Sequence, residues 1–150
     1  MYQENIYIKP YLPEYRSQIF RLWERSVLAT HDFLSPEDFR EIKELVSNIP
    51  FEDLDLYCLL QANTVLGFVG VADRKIEMLF LDPDYFGRGL GRTLLDYAIQ
   101  ELQANRLDVN AQNEKALRFY LKYGFVEYER TEKDDQGRNY PLIRMIISES

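Results

Sequence analysis

Asp82-Pro83-Asp84-Tyr85-Phe86-Gly87-Arg88-Gly89-Leu90-Gly91-Arg92 is a glycine-rich segment between an apolar stretch and an amphipathic one. Glycine permits positive φ angles and lets a ligand approach the backbone closely. A helix that begins here presents N–H groups without intrahelical acceptors and a partial positive charge. The segment therefore predicts a strand–loop–helix junction that can bind a phosphate group, with Arg88 and Arg92 as additional cations.

The spacing of the glycines excludes two common nucleotide-binding motifs. The dinucleotide motif G-x-G-x-x-G would need glycine at Arg92 or at Leu94, depending on where it starts. A Walker A loop would need glycine at Phe86 and lysine at Arg92. Two interpretations remain, namely a phosphate-binding loop of another type and a glycine-rich structural turn.

Upstream of this loop, hydrophobic periodicity predicts one strand, then two helices, then three further strands. The predicted strands cover residues 6–9, 56–62, 65–72 and 75–81, and tight turns join the last three into an antiparallel meander. The first helix covers residues 14–30, with an apolar residue at every fourth position. The second begins after Ser35, which suits the N-cap, with Asp38 in the reciprocal capping position.

Downstream of the loop, the pattern alternates between helix and strand. It predicts a helix over 92–103, a strand over 107–109, a helix from 113 to about 123, and strands near 125–131 and 140–147. A turn over 134–137 joins the last two strands. The chain is therefore expected to be an α+β protein with a mixed sheet.

Composition restricts the classes of protein that the chain can belong to. Its 150 residues suit one domain over 1–150, and 18 basic against 25 acidic residues give a net charge of −7. This balance argues against nucleic-acid or anionic-membrane partners. One Cys and one His exclude a disulfide framework and a zinc finger, so no metal site is expected. The start of the chain lacks the features of a signal peptide, and the longest apolar run, 65–72, is too short to span a bilayer, so a soluble cytoplasmic protein is expected.

Two motifs together resemble the signatures of the GNAT superfamily of N-acyltransferases. The first is Asp82-Pro83-Asp84-Tyr85-x-x-x-Gly89-x-Gly91-Arg92-x-Leu94-Leu95. The second is Val109-Asn110-Ala111-Gln112-Asn113-Glu114-Lys115-Ala116 followed by Phe119-Tyr120-x-x-x-Gly124-Phe125. Their order and separation also agree, and the resemblance covers essentially the whole chain. It implies a mixed, mostly antiparallel central sheet with helices on both faces and splayed fourth and fifth strands.

The resemblance implies a binding site for acetyl-CoA. The backbone of Leu79, Phe80 and Leu81 would bond the pantetheine arm in the gap between the splayed strands, and Asn113 would bond it from the other side. The pyrophosphate would be held by Gly87, Arg88, Gly89, Leu90, Gly91 and Arg92. Phe86 departs from the family, which usually has Gln or Arg there, so less side-chain support for the pyrophosphate is expected.

The same resemblance indicates candidate catalytic residues. Tyr120 corresponds to the family's general acid for the coenzyme thiolate, and a purely buried aromatic is the alternative. Glu77, acting through water, and Asp108 are candidate general bases, although both could be solvated charges on strands. His31, the single imidazole, is a candidate for a base or for an acceptor-side residue, because the turn between the first two helices commonly borders the acceptor in this superfamily. The alternative is that His31 and Asp32 cap the ends of the surrounding helices.

The sequence is therefore identified as an N-acetyltransferase that moves an acetyl group from acetyl-CoA to a primary amine by direct transfer in a ternary complex. Residues 25–34 and 134–142 resemble a poorly characterised bacterial branch without an assigned acceptor. A monomer or a homodimer is expected. A non-catalytic coenzyme A-binding module of the same fold is the main alternative, and a small thiol hydrolase or an interaction protein is a third.

Overall fold

Seven strands form one mixed sheet in the computed structural model, which describes residues 5–148. They are β1 (Ile6–Pro10), β2 (Asp55–Gln61), β3 (Thr64–Ala72), β4 (Lys75–Leu81), β5 (Arg106–Asn110), β6 (Val126–Thr131) and β7 (Leu142–Ile146). Their spatial order is β1-β2-β3-β4-β5-β7-β6, and every neighbouring pair is antiparallel except the parallel pair β4–β5. The expected mixed, mostly antiparallel sheet is therefore confirmed.

Four α-helices accompany the sheet within the described residues. They are α1 (Arg16–Thr30), α2 (Pro36–Ser47), α3 (Leu90–Gln100) and α4 (Glu114–Tyr123), with short 3-10 turns at Pro13–Tyr15, Phe51–Asp53 and Pro83–Tyr85. The third helix begins and ends earlier than predicted, because Gly89 already serves as its N-cap and Gln103 has a positive φ of 62° that a helix does not allow.

The helices cover both faces of the sheet, as the resemblance implied. A bulge in the pairing of β2 with β3 leaves Leu66 as one extra residue and shifts the alternation of side chains by one position, so β3 contributes Leu66 and Val69 to one core and Val65 and Phe68 to the other. The first core packs against α3 and α4, and the second packs against α1 and α2. The central strands are therefore buried on both sides and form a rigid frame for the loops at their ends.

The fourth and fifth strands separate after a short contact, which confirms the expected splay. Their pairing consists of Lys75 with Arg106 and Ile76 with Leu107. On its other side, β4 pairs with β3 in a register that leaves Glu77 as one extra residue. A β-bulge of this kind bends and twists its strand locally. The bulge at Glu77 therefore lies where β4 turns away from β5 and a gap opens toward the C-terminal ends of both strands.

The start of α2 differs in one respect from the sequence-based expectation. Ser35 is the N-cap, and its Oγ accepts a hydrogen bond from the Asp38 amide at 3.1 Å. The expected reciprocal role of Asp38 is wrong, because the Ser35 amide donates to the Tyr140 hydroxyl at 3.2 Å. That hydroxyl in turn donates to the Asp38 carboxylate. The Ser35 amide is therefore bonded to the side chain of Tyr140, 105 residues away in sequence, and not to that of Asp38.

Within residues 5–148, none of the helices has the length and apolar character that crossing a bilayer requires. The expectation about a signal peptide concerns mainly residues 1–4, which lie outside the described residues.

Candidate active site

Six successive backbone N–H groups, from Gly87 to Arg92, have no hydrogen-bond acceptor among the described residues. Gly87 and Gly89 have positive φ angles of 79° and 78°, and Gly89 is the N-cap of α3 without a side-chain cap. The first bond to the helix backbone is that from the Thr93 amide to the Gly89 carbonyl, at 3.2 Å. Such a row of exposed amides at a helix N-terminus is suited to an anion.

Two arginines within this row of residues make cation–π contacts with aromatic rings. The Arg88 guanidinium lies 4.9 Å from the centre of the Tyr85 ring, and that of Arg92 lies 5.4 Å from the centre of the Tyr123 ring. Both arginines are exposed and have no carboxylate partner among residues 5–148. Their charges therefore remain available to an anion bound at the amides.

The edge of β4 that faces the gap presents main-chain groups of alternate residues. The Asp82 amide donates to the Leu66 carbonyl at 2.8 Å, and bonded pairs recur at every second residue of an antiparallel ladder. Phe80, opposite Phe68, is therefore directed at β3, whereas the N–H and C=O groups of Leu79 and Leu81 are directed at the gap. Only these two of the three predicted residues offer main-chain groups to a ligand there.

Asn113 is the N-cap of α4 and lies directly after the turn that follows β5. Its Oδ1 accepts a hydrogen bond from the Ala116 amide at 3.3 Å. Its Nδ2 has no partner among the described residues and is free to donate. One side chain can therefore hold the start of the helix and contact a ligand at the same time.

Tyr120 lies on α4, and its side chain is half-buried. Its ring packs edge-to-face against those of Phe119 and Phe125, with centroid distances of 5.2 and 5.8 Å. Burial raises the pKa of Tyr120 to about 12. The hydroxyl has no hydrogen-bond partner within residues 5–148. The phenol therefore keeps its proton throughout the physiological pH range and can donate it to an incoming group.

Glu77 and Asp108 occupy the positions that follow the last pair between β4 and β5, but their surroundings differ. Glu77 is exposed at the bulge and has no charged or hydrogen-bonding partner in the described part of the chain. Asp108 Oδ2 accepts from Lys75 Nζ at 2.8 Å and from an Arg144 nitrogen at 2.7 Å, and 13% of its side chain is exposed. In the described part of the chain, the Glu77 carboxylate is therefore free to accept a proton, whereas the Asp108 carboxylate is held between Lys75 and Arg144.

His31 lies at the C-terminal end of α1, next to a cavity of about 320 Å³ between α1 and α2. Burial lowers the pKa of His31 to about 4, so the ring is neutral at pH 7. Its Nδ1 lies 2.7 Å from Thr30 Oγ1, which donates its own proton to the Ser26 carbonyl at 2.8 Å. Nδ1 must then carry the ring proton, and Nε2 has a lone pair free to accept a hydrogen bond.

A contact between α1 and the glycine-rich loop was not predicted from the sequence. Arg25 donates to Asp82 at 2.7 Å and to Asp84 at 3.2 Å. Asp82 also accepts a bond from the Asp84 amide at 2.9 Å, which fixes the turn before the glycines. The two carboxylates within the loop were a signal for a basic partner, but only tertiary structure shows that the partner is on α1.

Glu77 and Asp108 follow the last pair between β4 and β5, and the amides of residues 87–92 follow the C-terminal end of β4. His31 belongs to the opposite face of the sheet from α3, with α1 and α2. Among residues 5–148, no group of three or more His, Cys, Asp or Glu side chains could hold a metal ion. Cys58 is buried in the core, and burial raises the pKa of its thiol to about 12.

Comparison with known proteins points in one direction. A family model described as an acetyltransferase (GNAT) domain matches residues 24–147. The chain is similar to the peptidyl-lysine N-acetyltransferase YjaB of Salmonella typhimurium, with 37% identity over 129 residues that cover 86% of this chain and 89% of that protein. The solution structure of apo-form YjaB from Escherichia coli matches it with a TM-score of 0.87 and 35% identity, covering 97% and 99% of the two chains.

A more distant likeness concerns the fold alone. The PaiA N-acetyltransferase of Thermoplasma acidophilum, solved in complex with coenzyme A, has a TM-score of 0.70 and 20% identity, covering 93% of this chain and 98% of that one.

Proposed function

This chain belongs to the GNAT family of acetyltransferases, and from that membership we propose that it acetylates lysine side chains of peptides or proteins with acetyl-CoA as the donor. An N-acetyltransferase moves an acyl group to an amine, so its acceptor carries an amine. The choice of lysine rests on the similarity to YjaB, a peptidyl-lysine N-acetyltransferase. The choice of acetyl-CoA rests on the family and on the residues around the gap.

The observation that carries the proposal is the row of six amides from Gly87 to Arg92, which have no acceptor among residues 5–148 and lie next to an open strand edge. A pyrophosphate is a compact dianion that accepts several hydrogen bonds, and each bond to a charged group contributes about 1.5–3 kcal/mol. Arg88 and Arg92 add local positive charge to a chain of net charge −7. The residues present therefore fit this part of the coenzyme, although exposed Phe86 adds no polar group.

The pantetheine arm has amide groups that can pair with a strand. Leu79 and Leu81 offer an N–H and a C=O each toward the gap, and an extended ligand can bond them as an added strand would. The main-chain groups of Phe80 are directed at β3 and not at the arm, so Phe80 only spaces Leu79 and Leu81 along the strand. Asn113 Nδ2 donates from the β5 side. These contacts would direct the acyl end toward the bulge at Glu77.

Acetyl-CoA supplies an activated acetyl group as a thioester, and the leaving thiolate must be protonated. Tyr120 is proposed as the general acid because its phenol is protonated at neutral pH and no described residue is hydrogen-bonded to its hydroxyl. The rings of Phe119 and Phe125 hold it in place. The proton passes from the phenol oxygen to the departing sulfur.

A lysine acceptor requires a base, since with a pKa near 10.4 only about 0.04% of its amine is neutral at pH 7. Glu77 is proposed to remove the proton through a water molecule, because its carboxylate is exposed and unpaired in the described part of the chain. Asp108 is the second proposed base; its Oδ2 accepts from Lys75 and Arg144, and its Oδ1 has no partner within the described part of the chain. His31 is proposed on the acceptor side, where neutral Nε2 could accept a hydrogen bond.

The test measures thiol release from acetyl-CoA in the presence of blocked lysine peptides, peptides with a free N-terminus, polyamines and free amino acids. We expect release with the lysine peptides, and mass spectrometry of the product should locate the added acetyl group on the ε-amine. Acetylation of N-terminal amines alone would overturn the lysine proposal. Binding of acetyl-CoA without release by any amine would favour the non-catalytic coenzyme A-binding module instead.

Three expectations stay predictions: one domain over residues 1–150, a monomer or a homodimer, and a cytoplasmic location.

A further inference from the structure

The connection between β6 and β7, residues 132–141, is an ordered loop that holds its own shape. Asp134 Oδ1 accepts hydrogen bonds from the amides of Gln136 at 3.0 Å and Arg138 at 2.8 Å. The Asp134 amide donates to the Arg138 carbonyl at 3.0 Å, and the Gly137 amide donates back to Asp134. The loop therefore presents the Arg138 and Tyr140 side chains from a fixed backbone.

These two side chains bind the loop to the first turns of α2. Arg138 donates to Glu41 at 2.8 Å and lies 3.7 Å from Asp38, with only 15% of its side chain exposed. Tyr140, which is 9% exposed, donates to Asp38 and accepts from the Ser35 amide. We call this contact of Asp38 and Glu41 with Arg138 and Tyr140 the latch. The Arg138 and Tyr140 side of the latch is shielded from water, whereas 52% of the Glu41 side chain is exposed.

The strand topology places the latch across the open end of the gap. β4 and β5 are parallel and touch only at their first residues, so the gap widens toward their C-terminal ends. β7 begins at Leu142 opposite Asn110, the last residue of β5, so the loop lies at that end. Arg25 of α1 contacts Asp82, the residue after β4, at the same end. The latch therefore joins α2, which packs against α1, to the loop that precedes β7.

The latch lies on the opposite face of the sheet from the amides of α3. The α1 and α2 helices pack on one face, and α3 and α4 pack on the other. Tyr140 also lies 6.0 Å from the Phe33 ring, which is 5.2 Å from the His31 ring. The latch thus connects the turn that carries His31 with the loop that leads into β7.

We propose that the latch is a positioning device for the acceptor polypeptide: Arg138 and Tyr140 hold the α1–α2 turn and the 132–141 loop as two fixed walls around the acceptor's entrance. This inference rests on the proposed lysine acetyltransferase function. It predicts that breaking the latch weakens recognition of a peptide but leaves recognition of acetyl-CoA and of a single blocked lysine nearly unchanged.

The test compares Arg138→Gln and Tyr140→Phe with Arg130→Gln in the full-length chain. Arg130 is the matched control because its ion pair with Glu127 lies on exposed β6 in the same hairpin. Steady-state kinetics use a blocked hexapeptide with one lysine, Nα-acetyl-lysine amide and acetyl-CoA. We expect KM for the hexapeptide to rise about 10- to 100-fold in the two latch variants, with little change in kcat or in KM for the other two substrates.

Two further measurements distinguish a failure of the latch proposal from a failure of the lysine acetyltransferase proposal. Hydrogen exchange should speed up in residues 31–38 and 132–141 of the latch variants but not in 87–92, and binding of a fluorescent hexapeptide with coenzyme A present should weaken in parallel. Faster exchange with an unchanged KM for the hexapeptide would overturn the latch proposal alone. A wild-type chain that binds acetyl-CoA but neither binds nor acetylates the hexapeptide would overturn the lysine acetyltransferase proposal together with it.

Discussion

Tyr120 differs from the neighbouring tyrosines in having a hydroxyl without a partner in the described part of the chain. Tyr123, one helical turn further on, donates to Asp96 at 2.5 Å, and Tyr140 donates to Asp38. A phenol that already donates to a carboxylate has no proton to spare for a ligand. The environment of each ring, rather than the residue type, therefore selects Tyr120 as the proposed acid.

Tyr120→Phe should lower kcat by about 10²–10⁴-fold, the usual contribution of a positioned general acid. The ring contacts with Phe119 and Phe125 remain, so the melting temperature and the KM for acetyl-CoA should change little. The exposed Tyr128 provides a control, since Tyr128→Phe should leave kcat unchanged. A Tyr120→Phe enzyme with wild-type kcat would remove this phenol from the mechanism.

Glu77→Gln and Asp108→Asn should have different consequences because only one of the two carboxylates is paired. We expect Glu77→Gln to lower kcat by about 10²-fold and to flatten the acidic limb of its pH profile, without loss of stability. Asp108→Asn should reduce the free energy of unfolding by about 1–3 kcal/mol, because Lys75 and Arg144 lose their charged acceptor. Steady-state kinetics and urea unfolding distinguish the two effects, and the reverse pattern would assign the base to Asp108.

His31 should make the stability of the protein depend on pH. Its folded-state pKa is about 4, below the value of 6.5 for a free imidazole, because burial disfavours the charged form. The unfolded chain therefore takes up the proton first, and stability should fall as pH decreases from 6.5 to 4, by about 1–3 kcal/mol. His31→Gln keeps a donor for Thr30 but cannot titrate, so its unfolding free energy should decrease less over that range. Parallel pH dependence in both proteins would contradict this.

At the scale of elements, the junction between β4 and α3 needs glycine because of its backbone conformation and not because a side chain would lack space. A Cβ added at Gly89 would meet no atom within 4 Å, but φ is +78° there. Gly137 has the same properties, with φ +80° and no atom within 4 Å, but lies in the loop after β6. The two glycines therefore form a matched pair that separates strain from ligand binding.

Gly89→Ala and Gly137→Ala should each destabilise the fold by about 1–2 kcal/mol through unfavourable φ. Only Gly89→Ala should weaken acetyl-CoA binding, by about 10- to 100-fold, which corresponds to losing one hydrogen bond to a charged group. Isothermal titration calorimetry measures the affinity, and denaturant unfolding measures the strain. Equal losses of affinity in both variants would show that the amides of the junction do not hold the coenzyme.

The strands and helices themselves were largely predictable, because their signals are local. The turns over 62–63 and 73–74 produced the expected meander of β2, β3 and β4, and Ser35-Pro36 marked the start of α2. The end of α3 and the reciprocal partner of Ser35 were not predicted correctly. Each depends on a tertiary contact: the chain turns back toward Arg74 after α3, and Tyr140 inserts beside Ser35.

At the scale of the whole molecule, acetyl-CoA should stabilise the fold, since it binds groups that converge only in the folded state. At a concentration of 100 times its dissociation constant, linkage adds about 2.7 kcal/mol, or roughly 5–10 °C in Tm for a chain of this length. Differential scanning fluorimetry with acetyl-CoA and with acetate alone measures the shift. No shift at millimolar acetyl-CoA would contradict the coenzyme site.

The amino-acid sequence by itself determined the glycine junction, the order of the elements and the family resemblance, because these depend on spacing along the chain and on short-range conformational preferences. It also indicated Tyr120, Glu77 and Asp108 as candidates. Only the tertiary structure decided that a one-residue bulge at Glu77 opens the gap, that Asp108 lies between two cations, and that Arg138 reaches α2. Such features depend on strand register and on packing between distant segments, which local preferences do not specify.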